Sequence, residues 1–289
     1  MNPEFVCSIA RPVSTRTPVG PVRGGNDVDA ALAVRDLTLS ARNPAIIVPV
    51  MPQHRSDVAG ECAAAVAVGA QVVEWRVDAL QDLDATTGGP AEPDLDLLVD
   101  TADELRSVLG EVPLLFTVRT TAEGGHGPSD QRYVRLLEAV IRAGAADLVD
   151  VEYRRDGAAD LFELAGRHGV PVVASYHDFS GTPSAEEIEG ILAAQEAMGA
   201  AIAKVAVMPR NQADVATLLL ATARRAESAA VPLITMSMAG TGAISRMAGH
   251  LFGSCGSFGT VGQASAPGQI PVADLTELME RVTAASRQS

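Results

Sequence analysis

Lysine is all but absent from this 289-residue chain. Lys204 stands alone, and every other one of the 22 Lys and Arg side chains is arginine. Cysteine is nearly as scarce. Cys7, Cys62 and Cys255 are odd in number and far apart, which excludes a disulfide framework and suits a reducing, cytoplasmic setting. No stretch approaches the ~18 unbroken apolar residues of a membrane span. The opening "MNPEFVCSIARPVSTRTPVG" lacks the apolar core of a secretory signal. No H-x-H or H-E-x-x-H motif occurs and the cysteines do not cluster, so no metal is expected. Cationic surface is also lacking. The net charge of −14 and a pI near 4.7 exclude binding to nucleic acid or an anionic membrane. They leave room for a small anionic substrate if positive groups gather locally.

The pattern of what is present is regular. Residues 1–30 hold four prolines and little apolar periodicity, and read as a disordered tail. "LAVRDLTL" (32–39) alternates like a short strand or hairpin. From residue 44, apolar β-branched runs recur: 45–51, 71–77, 113–119, 147–153, 171–177, 201–208, 232–238 and 257–262. Helix-like segments separate them. In "SAEEIEGILAAQEAMG" (184–199), Ser184 and Glu187 form a capping box and Gly199 is a C-terminal stop. Strand-then-helix repetition implies parallel strands. Eight units match a (β/α)8 TIM barrel over residues 31–289, one catalytic domain. An open doubly wound sheet is the alternative, but no G-x-G-x-x-G follows the first strand.

Strand residues alternate between faces. Val73, Trp75 and Val77 oppose Glu74, Arg76 and Asp78. Leu114, Phe116 and Val118 oppose Leu115, Thr117 and Arg119. Val149, Val151 and Tyr153 oppose Asp150 and Glu152. Apolar faces pack on helices, so the charged faces point into the barrel. Charges there are costly unless paired. They describe either a buried ion-pair network or a polar substrate mouth. Their place toward the C-terminal strand ends, where such barrels carry active sites, favours the mouth.

By the same parity Lys204 lies inward with Ile202, Ala206 and Met208. A desolvated lysine is a nucleophile towards ketones and aldehydes, giving a Schiff base. The alternative is an ion pair with an inward carboxylate such as Glu152. His177 ends the fifth strand in "VVASYHDFSGTPS", placed for general acid–base work or as a satisfied structural histidine. The other four histidines lack such placement, with His126, in the loop "AEGGHGPSD" after the third strand, a partial exception. "MAGTGAISRMAGHLFGS" (238–254) can form an anion-holding loop with Arg246 supplying charge. "QASAPGQIPVADL" (263–275) reads as a movable lid or an ordinary connection.

With these pieces in order, the chain resembles type I 3-dehydroquinate dehydratase, the Schiff-base enzyme of the shikimate pathway. The likeness runs from about residue 44 to 275. It rests on "EWRVD" (74–78), "FTVRTTAEGG" (116–125), "SYHDF" (175–179), "KVAVMP" (204–209), "SR" with the following "FGS" (245–254), and "ASAPGQ" (264–269). The resemblance implies a lyase converting 3-dehydroquinate to 3-dehydroshikimate by syn elimination. Lys204 would form an imine with the C3 ketone. His177 would remove the C2 proton and then protonate the departing C1 hydroxyl, with Glu123 orienting it. Arg246 would bind the substrate carboxylate, Glu74, Arg76 and Arg119 its hydroxyls, and Ser265 and Gln269 would close over it. No metal or organic cofactor is implied, and the family suggests a homodimer. Two departures stand out. Pro49 replaces a frequent serine, and the basic pair some members carry before "ASAPGQ" is missing. Another Schiff-base barrel lyase, and a non-catalytic barrel that senses the metabolite, are the competing readings.

Overall fold

A computed structural model describes residues 30–81, 95–128, 131–261, 268 and 270–287. The expected N-terminal tail, residue 30 apart, lies outside the described residues, and so does Cys7. The alternating "LAVRDLTL" makes the antiparallel hairpin β1 (Leu32–Val34) and β2 (Leu37–Leu39), turning at Arg35, whose φ is 51°. Eight strands follow: β3 (Ala45–Val50), β4 (Val72–Arg76), β5 (Leu114–Thr117), β6 (Leu148–Glu152), β7 (Val172–Asp178), β8 (Ile202–Val207), β9 (Leu233–Ser237) and β10 (Gly256–Phe258). They are parallel, in the order β10-β3-β4-β5-β6-β7-β8-β9. A parallel bridge between Leu233 and Ser254 brings the two edges together, with the Cys255 amide donating to the Leu233 carbonyl at 2.6 Å. The open-sheet alternative is thereby excluded, and the (β/α)8 barrel stands.

The helices are α1 (Arg55–Ala67), α2 (Leu95–Leu109), α3 (Gln131–Ala143), α4 (Ala158–His168), α5 (Ala185–Ala197), α6 (Gln212–Ala226), α7 (Ala243–Ala248) and α8 (Val272–Ser286). None of the described helices is long and apolar enough to cross a membrane. Helix α5 starts at the expected box. Ser184 Oγ accepts from the Glu187 amide, and the Glu187 carboxylate accepts from the Ser184 amide at 2.9 Å. Beyond its other end Gly199 takes a φ of 92°, which other residues resist. The last strand is shorter than its apolar run. Gly259 abuts Val272, where a Cβ would come to 3.0 Å of Cγ2, and Thr260 leaves the sheet to bond with the chain entering α8.

Strand alternation sorts the core into layers. Trp75, Phe116, Val149 and Val151 face outward and meet the helices. Inside, Val72, Leu115, Leu148, Val173 and Ile202 form an apolar floor, which Leu32, Val34 and Leu39 of the hairpin close from below. One inner position higher on those strands stand Glu74, Thr117, Asp150, Ser175 and Lys204. One step further come Arg76, Arg119, Glu152 and His177. The apolar floor keeps water from beneath, so polarity increases toward the C-terminal mouth. Phe116 packs edge-on against Trp75, with centroids 5.7 Å apart and both rings fully buried. Phe116→Ala should therefore cost about 3–5 kcal/mol, read as a lower denaturant midpoint with an unchanged slope.

Candidate active site

Lys204 is 3% exposed and points into the barrel from β8. Its Nζ lies 3.2 Å from Asp150 Oδ2 and 3.6 Å from Glu74 Oε1. The ring of Phe258 faces it, with the centroid at 4.8 Å. The carboxylate beside the lysine is thus Asp150 and not Glu152. Glu152 sits one inner position higher and is already engaged. Its Oε1 accepts from the Thr120 amide at 2.8 Å, and its Oε2 from Thr120 Oγ1 at 2.7 Å. Arg119 and Arg155 complete its pairs at 3.2 and 2.9 Å. Glu74 accepts from Thr117 Oγ1 at 2.9 Å.

Arg119 is the hub of this layer. It pairs with Asp150 at 2.8 Å, with Glu152, and with Glu123 at 3.4 Å, and donates to Ser175 Oγ at 2.9 Å. Ser175 Oγ passes a bond on to Asp150 Oδ1 at 2.6 Å. Burial works to raise the Asp150 pKa. Arg119, Lys204 and the Ser175 bond prevail, and hold it below the usual carboxylate range. Arg76 forms a two-pronged pair with Asp78 at 2.7 and 2.8 Å. Asp78 also accepts the Arg119 and His126 amides, which fastens the loop after β5 to the end of β4.

His177 stands two residues beyond Ser175 on β7, and Ser175 is in register with Lys204. Its Nδ1 lies 2.9 Å from Glu123 Oε2, and its amide donates to the same oxygen at 3.1 Å. The loop that brings Glu123 there depends on glycine. At Gly125 a Cβ would fall 2.2 Å from the Arg119 carbonyl oxygen, and at Gly124, where φ is 81°, it would strike the Phe179 ring. "TAEGG" and "SYHDF" thus pack face to face across two strands. Burial, reinforced by Arg119, Lys204 and Arg76, pushes the His177 pKa well below its ordinary 6.5. Burial and the neighbouring Glu152 raise Glu123 to about 8 against the pull of Arg119. The imidazole is kept neutral, the form that takes up a proton.

Arg246, on α7, is 8% exposed. It donates to the carbonyls of Ser237 and Ala239 at 3.2 and 3.4 Å. Among the described residues no carboxylate pairs with it, and burial lowers its pKa. In the preceding loop the amides of Gly242, Ala243 and Ser245 bond to carbonyls of the loop itself. The positive charge there is therefore the arginine's, not that of an amide cradle. Ser265 and Gln269 lie outside the described residues. Gly268 rests on Ala239, where a Cβ would meet the carbonyl carbon at 2.2 Å. Pro49 is in register with Glu74 on β3.

The other histidines stand elsewhere. His250 is tied to Thr283 at 2.8 Å, and His126 contributes its amide to Asp78. Sequence reasoning placed Asp150 on the inner face without giving it a role, and passed over Ser175, although parity with His177 marks it as inward. Phe258 carried no local signal. Its meeting with Lys204 depends on the closure of the barrel, which sets the β10 segment beside β9, the neighbour of β8.

Comparison with known proteins agrees in extent and in fold. The profile of the type I 3-dehydroquinase family matches residues 46–285. A Listeria welshimeri protein named 3-dehydroquinate dehydratase is 43% identical over 252 residues, covering 86% of this chain and 96% of its own. One from Bacillus licheniformis is 42% identical over 250 residues, covering 85% and 95%. Among solved structures, the Geobacillus kaustophilus 3-dehydroquinate dehydratase superposes with a TM-score of 0.81 at 39% identity, over 89% of this chain and 97% of that one. The type I enzyme of Clostridium difficile, solved with covalent modified comenic acid, gives 0.80 at 34% identity, over 88% and 98%.

Proposed function

The chain belongs to the type I 3-dehydroquinase family, the premise from which we propose that it dehydrates 3-dehydroquinate to 3-dehydroshikimate through an imine on Lys204. The hydro-lyase class follows from the family, and the covalent route is our reading of the site. The observation that carries it is a buried primary amine beside a carboxylate-held imidazole on the adjacent strand.

In the proposed route Lys204 condenses with the C3 ketone and releases water. The resulting iminium withdraws electrons from C2. Neutral His177 takes the C2 proton, leaving an enamine. The imidazolium then protonates the C1 hydroxyl, which departs as water while the enamine electrons form the new C=C bond. Hydrolysis of the iminium frees the product and the lysine. Glu123, bonded to Nδ1, fixes the ring and its tautomer for both transfers. Arg246, a buried cation with no carboxylate partner among the described residues, suits the substrate carboxylate. Glu74, Arg76 and Arg119 line the inner wall, where hydroxyls would lie. Holding ketone, acid and hydroxyls at fixed points lets one imidazole serve two proton transfers. The route calls for no metal or organic cofactor. A cytoplasmic homodimer in the shikimate pathway belongs to the same proposal, supported by the family resemblance. Ser265 and Gln269 keep their proposed closing role on the same ground.

The test is to incubate the protein with 3-dehydroquinate, reduce with borohydride and map the adduct by mass. The increment should fall on Lys204, where only the N-terminal amine competes. Steady turnover without any adduct would exclude the imine. The pH profile offers a second check. Because the His177 pKa is lowered from 6.5, the imidazole stays neutral into mildly acidic solution. The acidic limb of kcat/KM should therefore lie below that ordinary value. A limb above it would show that the base is not a buried, neutral His177.

A further inference from the structure

Lys204 Nζ sits near both a carboxylate and the face of a ring. Asp150 approaches to 3.2 Å, and the Phe258 ring centroid lies at 4.8 Å. A buried ammonium is costly unless paired, and an aromatic face attracts a cation through its quadrupole. Asp150 is not free to leave. Ser175 and Arg119 hold its Oδ1 at 2.6 and 2.8 Å, so only Oδ2 faces the lysine. Glu74 is the other carboxylate near Nζ, at 3.6 Å, beyond hydrogen-bond reach and engaged by Thr117. The remaining charged or titratable groups of this wall are Arg119, which is spent on three carboxylates, Glu152, which is one layer higher, Arg76, which is paired with Asp78, and His177 with Glu123 at the rim.

We infer that Asp150 and Phe258 form a charge clamp that favours one positive charge at Nζ on both sides of the covalent step, as the ammonium of the free enzyme and as the iminium of the adduct, the amine being neutral only while it attacks. The inference deepens the Schiff-base reading above and rests on it. The condensation conserves that charge. The C=O bond of the ketone breaks and a C=N bond forms. Of the three ammonium hydrogens one stays on nitrogen, and two leave with the oxygen as water. The nitrogen therefore carries the same charge before and after. Surroundings organised around a cation at that point need not rearrange when the covalent intermediate appears. The clamp also selects the useful form of the adduct. A neutral imine draws little electron density from C2, whereas the iminium acts as the electron sink that acidifies the C–H bond. Asp150 therefore serves as the counter-ion of the intermediate, and Phe258 covers the side that a second carboxylate would over-neutralise.

The experiment is capture of the 3-dehydroquinate adduct by cyanoborohydride, which reduces an iminium and spares a neutral imine, followed over pH by the mass increment at Lys204. Asp150→Asn keeps the shape and removes the charge. It should move the alkaline midpoint of capture about 1–3 pH units lower. Phe258→Leu keeps the bulk and removes the quadrupole. It should move the midpoint in the same direction by about half a unit or more. Capture by the wild type, with midpoints unmoved in both variants, overturns the clamp and leaves the Schiff-base reading standing. Turnover by the wild type without capture at Lys204 overturns both. If Asp150→Asn does not fold, Phe258→Leu decides alone, since its ring is half-buried at the end of β10 and a leucine fills much of the same space. A lower melting temperature without a shifted midpoint counts against the clamp, because loss of packing alone does not change which form of the adduct is reduced.

Discussion

Lys204→Ala should abolish turnover of 3-dehydroquinate, lowering kcat by roughly 10⁴-fold or more, the scale of losing a covalent nucleophile. The argument is one of position and chemistry together. The chain offers a single lysine side chain, and the arginines around it cannot take its place, because a guanidinium does not deprotonate to attack a carbonyl. The substitution has a second consequence. Removing the ammonium leaves the buried Asp150 and Glu74 carboxylates without the cation they share, with Arg119 still paired to Asp150. Breaking a buried pair in this way costs about 3–5 kcal/mol, so loss of activity must be separated from loss of fold. Lys204→Arg does this. It keeps a cation between the two carboxylates and removes the reactive amine. It should fold with a melting temperature nearer the wild type, yet show neither turnover nor a borohydride-trapped adduct. Measured kcat within tenfold of wild type in either variant would end the imine mechanism.

His177→Ala should lower kcat by roughly 10²–10⁴-fold while still forming the adduct at Lys204. The two functions are separable because the two side chains do not share a bond. His177 is held from the Glu123 side, by 2.9 and 3.1 Å contacts to one carboxylate oxygen, whereas Lys204 is held by Asp150 one layer below. Truncating the imidazole leaves the amine, its counter-ion and the Arg246 site in place. It removes the group that takes the C2 proton and returns a proton to the C1 hydroxyl. Borohydride trapping should therefore capture unreacted substrate on Lys204, seen as an adduct heavier by one water than the product adduct. Elimination at the wild-type rate would show that another group moves both protons, and would remove His177 from the mechanism.

The sequence made a good part of this site legible, for a reason that can be traced residue by residue. A β-strand has a period of two, so Trp75 facing the helices requires Glu74 and Arg76 to face inward. The same count directs Asp150, Ser175, His177 and Lys204 to the interior from three separate strands. The capping box at Ser184 and Glu187 was readable because both partners lie within one turn. The alternative reading paired Lys204 with an inward carboxylate such as Glu152, and the carboxylate that pairs with it is Asp150. Both Asp150 and Glu152 face inward, and nothing local says which lies level with the lysine. The stagger of β6 against β8 put Asp150 there, and turned Glu152 towards Thr120, Arg119 and Arg155. The glycine-rich loop before α7 was expected to hold an anion with its amides. The amides of Gly242, Ala243 and Ser245 bond within the loop instead, and among the described residues no carboxylate pairs with Arg246.

By itself, then, the sequence determined the alternation of faces, the number of strand–helix units, the charged inner positions toward the C-terminal strand ends, and a single primary amine on an inward position. These follow from short-range rules, since side-chain direction repeats over two residues and caps close over three. Only the tertiary structure decided which inward groups meet. Asp150 against Lys204, Glu123 against His177 and the Phe258 ring against Lys204 are contacts set by strand stagger and barrel closure. Those depend on the packing of all eight strands at once, and no window of the chain contains them.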